Sequence, residues 1–301
     1  MQANTFYRSC LGSISSMATL LLSAFVVSVA ATSEITKTEP AKSERNRAVI
    51  EWRGSWQQGG LLLGKVSPGQ TVRYLDDNIK TTADGQFLIG LDRDAPAVSR
   101  FTVIDRDGTS TSVEYKITQR SYNIQRVEGV PQRTVEPPPE QLQRIRSDSA
   151  MVREARRSVT AKTDFLSGFI KPLEGPITGV YGSQRVYNGV PKSPHYGLDY
   201  AAATGTIVNA PASGLVRLAH PDLFYSGGTL IIDHGHGLTS SFLHLSDILV
   251  SEGSVVQRGD AIAKVGATGR ATGPHLDWRM NWRNVRIDPA LVLQAFPSDS
   301  R

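Results

Sequence analysis

Gly227-Gly228-Thr229-Leu230-Ile231-Ile232-Asp233-His234-Gly235-His236-Gly237-Leu238-Thr239-Ser240-Ser241-Phe242-Leu243-His244-Leu245-Ser246 is the stretch whose pattern decides the fold. Thr229–Ile232 is a short β-branched and apolar run, and a second strand-like run covers residues 239–244. The glycine-flanked segment Asp233–Gly237 reads as the turn between them. Residues 207–210, 214–217 and 261–265 supply further short β runs, so residues 169–296 are expected to be mainly β. A weak echo links Gly205-Thr206-Ile207-Val208, followed by Ala212-Ser213-Gly214-Leu215-Val216, with Gly253-Ser254-Val255-Val256, followed by Arg258-Gly259-Asp260-Ala261-Ile262. Each half reads as strand, tight turn, strand, which predicts local antiparallel hairpins and not βαβ units.

Upstream, Glu136-Pro137-Pro138-Pro139 marks a boundary, because proline stiffens the chain and is tolerated in a first helical turn. Leu142, Ile145, Ser149, Val152, Ala155 and Val159 then recur at helical spacing. They predict one amphipathic linker helix over about residues 138–160, with a solvated charged face. Residues 47–126 hold six or seven short β runs separated by Ser67-Pro68-Gly69, Ala83-Asp84-Gly85 and Asp107-Gly108, the pattern of a small β-sandwich. Nothing in that part has catalytic spacing.

The first residues read differently. Met17–Val29 is an apolar run of about thirteen residues, followed by small residues near Ala30 and Ala31. It is shorter than the roughly 20 residues a spanning helix needs and reads as a secretory signal over residues 1–31. Its removal takes away Cys10, the sole cysteine, leaving neither disulfide nor thiol nucleophile. The net charge of +5 suits an anionic surface but is also ordinary for solubility. No arginine-rich helix with interleaved aromatics points to nucleic acid. The expected organisation is a signal peptide (1–31), a small β domain (47–126), a linker with a helix (127–164) and a second β domain (165–297), the last expected to fold on its own.

Chemistry concentrates in that last part. His195 and Asp199 are four apart, and Pro194 and Gly197 place them on a loop or strand. His275 and Asp277 alternate around Leu276, so on a strand both face one side, delivered by the glycine-studded loop Gly266–Pro274. Imidazole nitrogen and carboxylate oxygen are zinc donors, and three protein donors with one open position describe a zinc hydrolase. His244 lies among apolar neighbours; a lone histidine there is more often structural. His234 and His236 form a rival pair whose glycines suggest a hairpin tip, and His220 is expected on a surface loop.

Four segments in order, residues 177–189, 193–216, 227–246 and 266–278, resemble the lysostaphin-type zinc metallopeptidases, which cut peptide cross-links of bacterial peptidoglycan. The resemblance implies an antiparallel β fold with a zinc-bearing groove. It implies His195 and Asp199 as zinc ligands and His244 and His275 as catalytic histidines. The family's final H-x-H motif supplies the third ligand from its second histidine; here that position is Asp277. Aspartate is a competent zinc ligand, although two carboxylates would cancel the metal charge, weaken acidification of bound water and favour harder metals such as manganese.

The resulting expectation is an exported Zn2+-dependent endopeptidase, in a periplasm or secreted, acting on peptidoglycan peptide stems in cell-wall remodelling. It would have no nucleic-acid partner and no membrane span after signal cleavage. The alternative is a non-catalytic peptidoglycan-binding or regulatory protein that activates another cell-wall hydrolase as its partner.

Overall fold

The computed structural model of this chain describes residues 50–129, 137 and 139–298. The expected signal sequence and Cys10 lie outside the described residues, as does part of the proline-rich boundary. Among the described residues, no helix is long and apolar enough to cross a membrane. The fold is mainly β and antiparallel, as the sequence pattern predicts.

The first seven strands are β1 (Glu51–Gly54), β2 (Leu61–Lys65), β3 (Thr71–Tyr74), β4 (Asp77–Ile79), β5 (Gln86–Gly90), β6 (Val98–Ile104) and β7 (Ser110–Lys116). They form two small sheets, in the orders β1-β2-β5 and β4-β3-β6-β7. Alternation drives their packing: Ser99, Phe101 and Val103 of β6 point inward while their neighbours face out. Aromatic rings fill the interior, with Trp56 stacked on Tyr115 at 4.5 Å and Tyr74 on Phe101 at 4.7 Å.

Strand β8 (Ile124–Val127) leaves this region and pairs in parallel with β10 (Gln184–Tyr187), which follows β9 (Ile177–Gly179) and precedes β11 (Val190–Pro191). Next come β12 (Gly197–Ala201), β13 (Ile207–Asn209), β14 (Gly214–Leu223), β15 (Gly227–Gly235), β16 (Leu238–Leu245), β17 (Asp247–Ile248), β18 (Val255–Val256), β19 (Ala261–Lys264), β20 (His275–Trp282) and β21 (Val285–Ile287). The main sheet runs β18-β14-β15-β16-β20-β12-β9, with β21 added to β20.

The sequence echo resolves into a crosswise pairing. β13, the first strand of one echo, pairs with β19, the second strand of the other; β14 likewise pairs with β18. Both pairings are antiparallel, but neither echo closes on itself as a hairpin. Ala210 explains why. Its N–H donates to Asp260 and its carbonyl accepts from Gly259, so the two turns bond each other. The hairpin that does form locally is β15–β16. Its two-residue tip, His236-Gly237, has positive φ at both positions (50° and 81°), the backbone that matches strand twist in a tight hairpin.

Helix α1 (Leu142–Arg157) follows a single 3-10 turn at Pro139–Gln141. Met151, Val152 and Ala155 bury against Leu218, Leu223 and Ile231. Its polar side is not simply solvated. Asp148 accepts the N–H of Phe224 at 2.7 Å, and Arg144 pairs with Asp222 at 2.7 Å. Arg156 is half-buried and donates to Ser241 Oγ at 3.0 Å.

Residues 165–298, the part expected to fold on its own, pack closely against the preceding strands. One apolar core runs from Ile50 to Phe296. Gly90 lies against Trp282, where an added Cβ would meet Trp282 Cβ at 2.9 Å. Asp288 shows how the seam is tied: Oδ1 caps helix α2 (Pro289–Ala295) through Ala290 N–H at 2.9 Å, while Oδ2 accepts from Arg120 at 2.9 Å. Asp288→Ala removes both bonds and leaves the Arg120 guanidinium without its carboxylate. It should cost about 2–3 kcal/mol of unfolding free energy in urea; a loss under about 0.5 kcal/mol would show that the seam contributes little.

His234 and His236 give the stability a pH dependence. Burial lowers both below the ordinary histidine value, so the unfolded chain binds more protons than the folded one beneath pH 6.5. Their contribution is complete above that value and is lost as pH falls through it. The melting temperature of the metal-free protein should therefore drop between about pH 7 and about pH 5. An unchanged midpoint would contradict the buried neutral state of both rings.

Candidate metal centre

Two neighbouring strands carry two carboxylates at one register position. Asp199 on β12 is the direct partner of Asp277 on β20. Alternation sends Leu198, Tyr200, Leu276 and Trp278 into the core and leaves Asp199, His275, Asp277 and Arg279 on the other face. His195, just before β12, brings Nε2 to 3.1 Å from Asp199 Oδ1. One donor atom from each of His195, Asp199 and Asp277 lies within 4.8 Å of the others.

The sequence-predicted ligand trio is thus brought together. His195 Nε2 and Asp199 Oδ1 are both buried, and among the described residues neither has a hydrogen-bond partner. Their close approach is therefore a charge contact without hydrogen-bond alignment. Two neighbouring orphaned polar atoms, one imidazole nitrogen and one carboxylate oxygen, with a second carboxylate beside them, are what a cation would satisfy. One imidazole and two carboxylates fit zinc chemistry.

Two glycines make the cluster sterically possible. A Cβ on Gly179 would fall 2.1 Å from Asp199 Oδ2, and one on Gly197 would fall 2.0 Å from Asp277 Oδ1. Neither glycine is needed for backbone conformation; each leaves room for a carboxylate.

Arg279 is the component that motif reading missed. Its Nε donates to both Asp277 oxygens at 3.0 Å, and Nη2 donates to Oδ2. Burial would raise Asp277, but the Arg279 guanidinium outweighs it, helped by His195 and His244, and holds the carboxyl down at about 2. His195 is pulled down by burial but raised overall by Asp199 and Asp277. The signal for Arg279 was present: residues 275, 277 and 279 share one face of a strand.

His244 and His275 stand beside the cluster with ring centroids 4.8 Å apart. His244 Nδ1 donates to the Thr268 carbonyl and His275 Nδ1 to the Gly273 carbonyl, each at 2.8 Å. Carbonyls only accept, so in each neutral ring Nδ1 carries the proton and Nε2 keeps its lone pair. Burial lowers His244 below the ordinary histidine value. Strict alternation from Leu243, the partner of Asp277, would aim His244 into the core. A φ of +65° at His244 breaks the alternation and turns its ring toward His275.

The remaining histidines lie elsewhere. His234 is fully buried, its ring nitrogens bonded to the Ser213 carbonyl and Ser240 Oγ, both at 2.8 Å. His236 caps the β15–β16 hairpin as the sequence suggested. His220, expected on a surface loop, instead lies within β14 as the partner of Thr229, and its Nδ1 accepts the Asp222 N–H at 3.1 Å.

Residues 193–289 match the model of peptidase family M23, and that stretch is an M23 peptidase domain. The chain is 40% identical over 124 residues to the peptidoglycan DD-endopeptidase ShyB of Vibrio cholerae, covering 40% of this chain and 26% of that protein. It is 37% identical over 103 residues to the DD-carboxypeptidase/endopeptidase Mpg of Neisseria meningitidis, covering 34% of this chain and 24% of that protein. The chain thus spans about a quarter of the length of these relatives. A solved Pseudomonas aeruginosa structure named for peptidase M23 superposes with a TM-score of 0.63 at 29% identity. It covers 80% of this chain and 96% of its own, so the likeness reaches well beyond residues 193–289.

Gly197→Ala tests the cradle. Its methyl group would displace the Asp277 carboxylate while β12 remains paired. Zinc affinity, read by competition with a chromogenic chelator, should fall at least about tenfold, with melting temperature little changed. Unaltered affinity would mean that Asp277 does not contribute to the cluster.

Proposed function

We propose that this protein is an exported, zinc-dependent endopeptidase that hydrolyses peptide cross-links of bacterial peptidoglycan. One observation carries the reading: His195, Asp199 and Asp277 converge, two of their donor atoms are orphaned, and His244 and His275 adjoin them. The M23 match and the peptidoglycan-acting relatives support the substrate class.

In this reading His195, Asp199 and Asp277 hold the metal. Zinc, when bound, supplies a Lewis acid for the scissile carbonyl and an acidified water. Arg279 alters the expected penalty of the second carboxylate. By pairing with Asp277 it offsets one negative charge, so the cluster resembles two neutral ligands and one carboxylate. His244, kept neutral by burial, accepts a proton at Nε2 from the attacking water. His275, when protonated at Nε2, donates to the developing oxyanion or the leaving amine. Thr268 and Gly273 carbonyls hold both rings in the tautomer these roles require.

A second reading has one observation of its own. Arg279 already engages both oxygens of Asp277, which would suffice for a metal-free protein that binds peptidoglycan or regulates another wall hydrolase. Digestion of purified peptidoglycan by residues 32–301, zinc-loaded and chelated in parallel, separates the two. The endopeptidase reading expects about one zinc per chain and chelator-sensitive release of uncross-linked peptides. His244→Ala should keep that metal and lose about 10²–10⁴-fold in turnover. Absence of both metal and release would transfer the weight to the regulatory reading.

A further inference from the structure

Three arginines share the face that carries the metal-ligand cluster. Arg279 pairs with Asp277. Its partner across β16 is Ser241, whose hydroxyl accepts from Arg156 of helix α1 at 3.0 Å. Arg286 on β21 is the partner of Asn281, donates to its Oδ1 at 3.2 Å, and lies 5.5 Å from the ring of Tyr196, the neighbour of His195. Asp277 is the carboxylate that serves this group, and Arg279 already takes both its oxygens.

Positive charge is therefore in excess, at a place where water is scarce. Arg156 Nε is buried and, among the described residues, has no partner. Burial, then the guanidiniums of Arg286 and Arg279, push Arg156 well below its ordinary value. Burial and Arg279 act on Arg286 in the same direction. Crowded, partly desolvated guanidiniums are unfavourable unless an anion joins them. None of the three is sealed: Arg279 retains 25% of its side-chain exposure, and Arg156 and Arg286 are half-buried. Guanidinium forks match carboxylates with two parallel hydrogen bonds.

We propose that Arg156, Arg279 and Arg286 form an anion subsite beside the metal cluster that receives a free carboxylate of the peptide substrate. The proposal rests on the endopeptidase reading for its substrate, but not for its chemistry. A peptide carboxylate can be terminal or on a side chain, and both present the same two oxygens. The subsite would orient the peptide through a group that does not react, favouring stems that carry the free acid over amidated ones.

The test uses residues 32–301, zinc-loaded, and purified cross-linked muropeptide dimers in three forms: unmodified, amidated at the terminal carboxylate, and amidated at side-chain carboxylates. Relative to the unmodified dimer, one amidated form should show a KM raised about 10–100-fold with a smaller change in kcat. The form that does so identifies the source of the carboxylate. Arg286→Gln leaves the Asp277–Arg279 pair in place and should shrink that KM ratio to within about threefold; Arg286→Lys should restore part of it. Equal KM values for all three forms in the unsubstituted protein, or an unchanged ratio in Arg286→Gln, would overturn the subsite. If no dimer is cleaved, the endopeptidase reading fails and binding decides the subsite separately. Calorimetric titration should then show N-acetyl-D-alanyl-D-alanine binding as the free acid, at least about tenfold more weakly as the amide, and more weakly to Arg286→Gln. No difference between acid and amide would overturn the proposal in that arm.

Discussion

Asp199 and Asp277 face each other across a single rung of the sheet, and the rest of the site is arranged around that confrontation. Two ionised carboxylates about 5 Å apart repel by about 3 kcal/mol at the effective dielectric of a protein site. A guanidinium at about 3 Å attracts by about 5 kcal/mol in the same medium. Arg279 therefore wins, and Asp277 stays ionised although it is only 2% exposed. Asp199 has no guanidinium bonded to it: its orphaned oxygen lies 3.1 Å from the equally orphaned His195 Nε2. The sheet supplies rigidity, the two glycines supply room, and the unresolved charge is what a bound cation would balance.

The register explains how a distant helix takes part in this chemistry. Leu218, Ile231, Ser241, Arg279 and Gly197 are successive partners across β14, β15, β16, β20 and β12. They form one row on one face. Helix α1 covers the Leu218 and Ile231 end with apolar side chains, and Arg156 extends from it to Ser241. A helix whose sequence suggests an amphipathic linker with a solvated charged face thus contributes both packing and charge next to the cluster. Removing it would uncover apolar surface and also change the electrostatics of the face that bears Asp277.

Much of this was legible in the sequence. The apolar and β-branched runs at 229–232 and 239–244, joined by a glycine-flanked turn, pointed to antiparallel strands, and the 275/277 alternation to a strand. The spacings at 195/199 and 275/277 marked candidate pairs, and the resemblance to the lysostaphin-type metallopeptidases implied the trio that converges, His195, Asp199 and Asp277. Long-range pairing was not legible. The two echoes have local turn chemistry, but tertiary hydrogen bonds between the turns exchange their strands. The apolar neighbours of His244 alone suggested a structural residue, and it was the resemblance that marked it as catalytic; the left-handed conformation that turns its ring toward His275 is invisible in composition for a residue that is not glycine. Arg279 was overlooked because motif reading stopped at Asp277, two residues short of the partner that alternation places on the same face.

Asp277 and Arg279 are best understood as one unit. An aspartate alone at this position would add a second carboxylate to the cluster and leave the metal nearly neutral. An arginine alone would bury a charge and repel a cation. Together they would present to a metal an oxygen whose negative charge is already partly balanced, approaching what a neutral imidazole would offer, but with a guanidinium attached that an imidazole lacks. That guanidinium also belongs to the arginine group formed with Arg156 and Arg286. Replacing an imidazole by this pair therefore does more than conserve coordination: it links the charge of the metal cluster to the charge of the surface beside it, where an anionic peptide would lie.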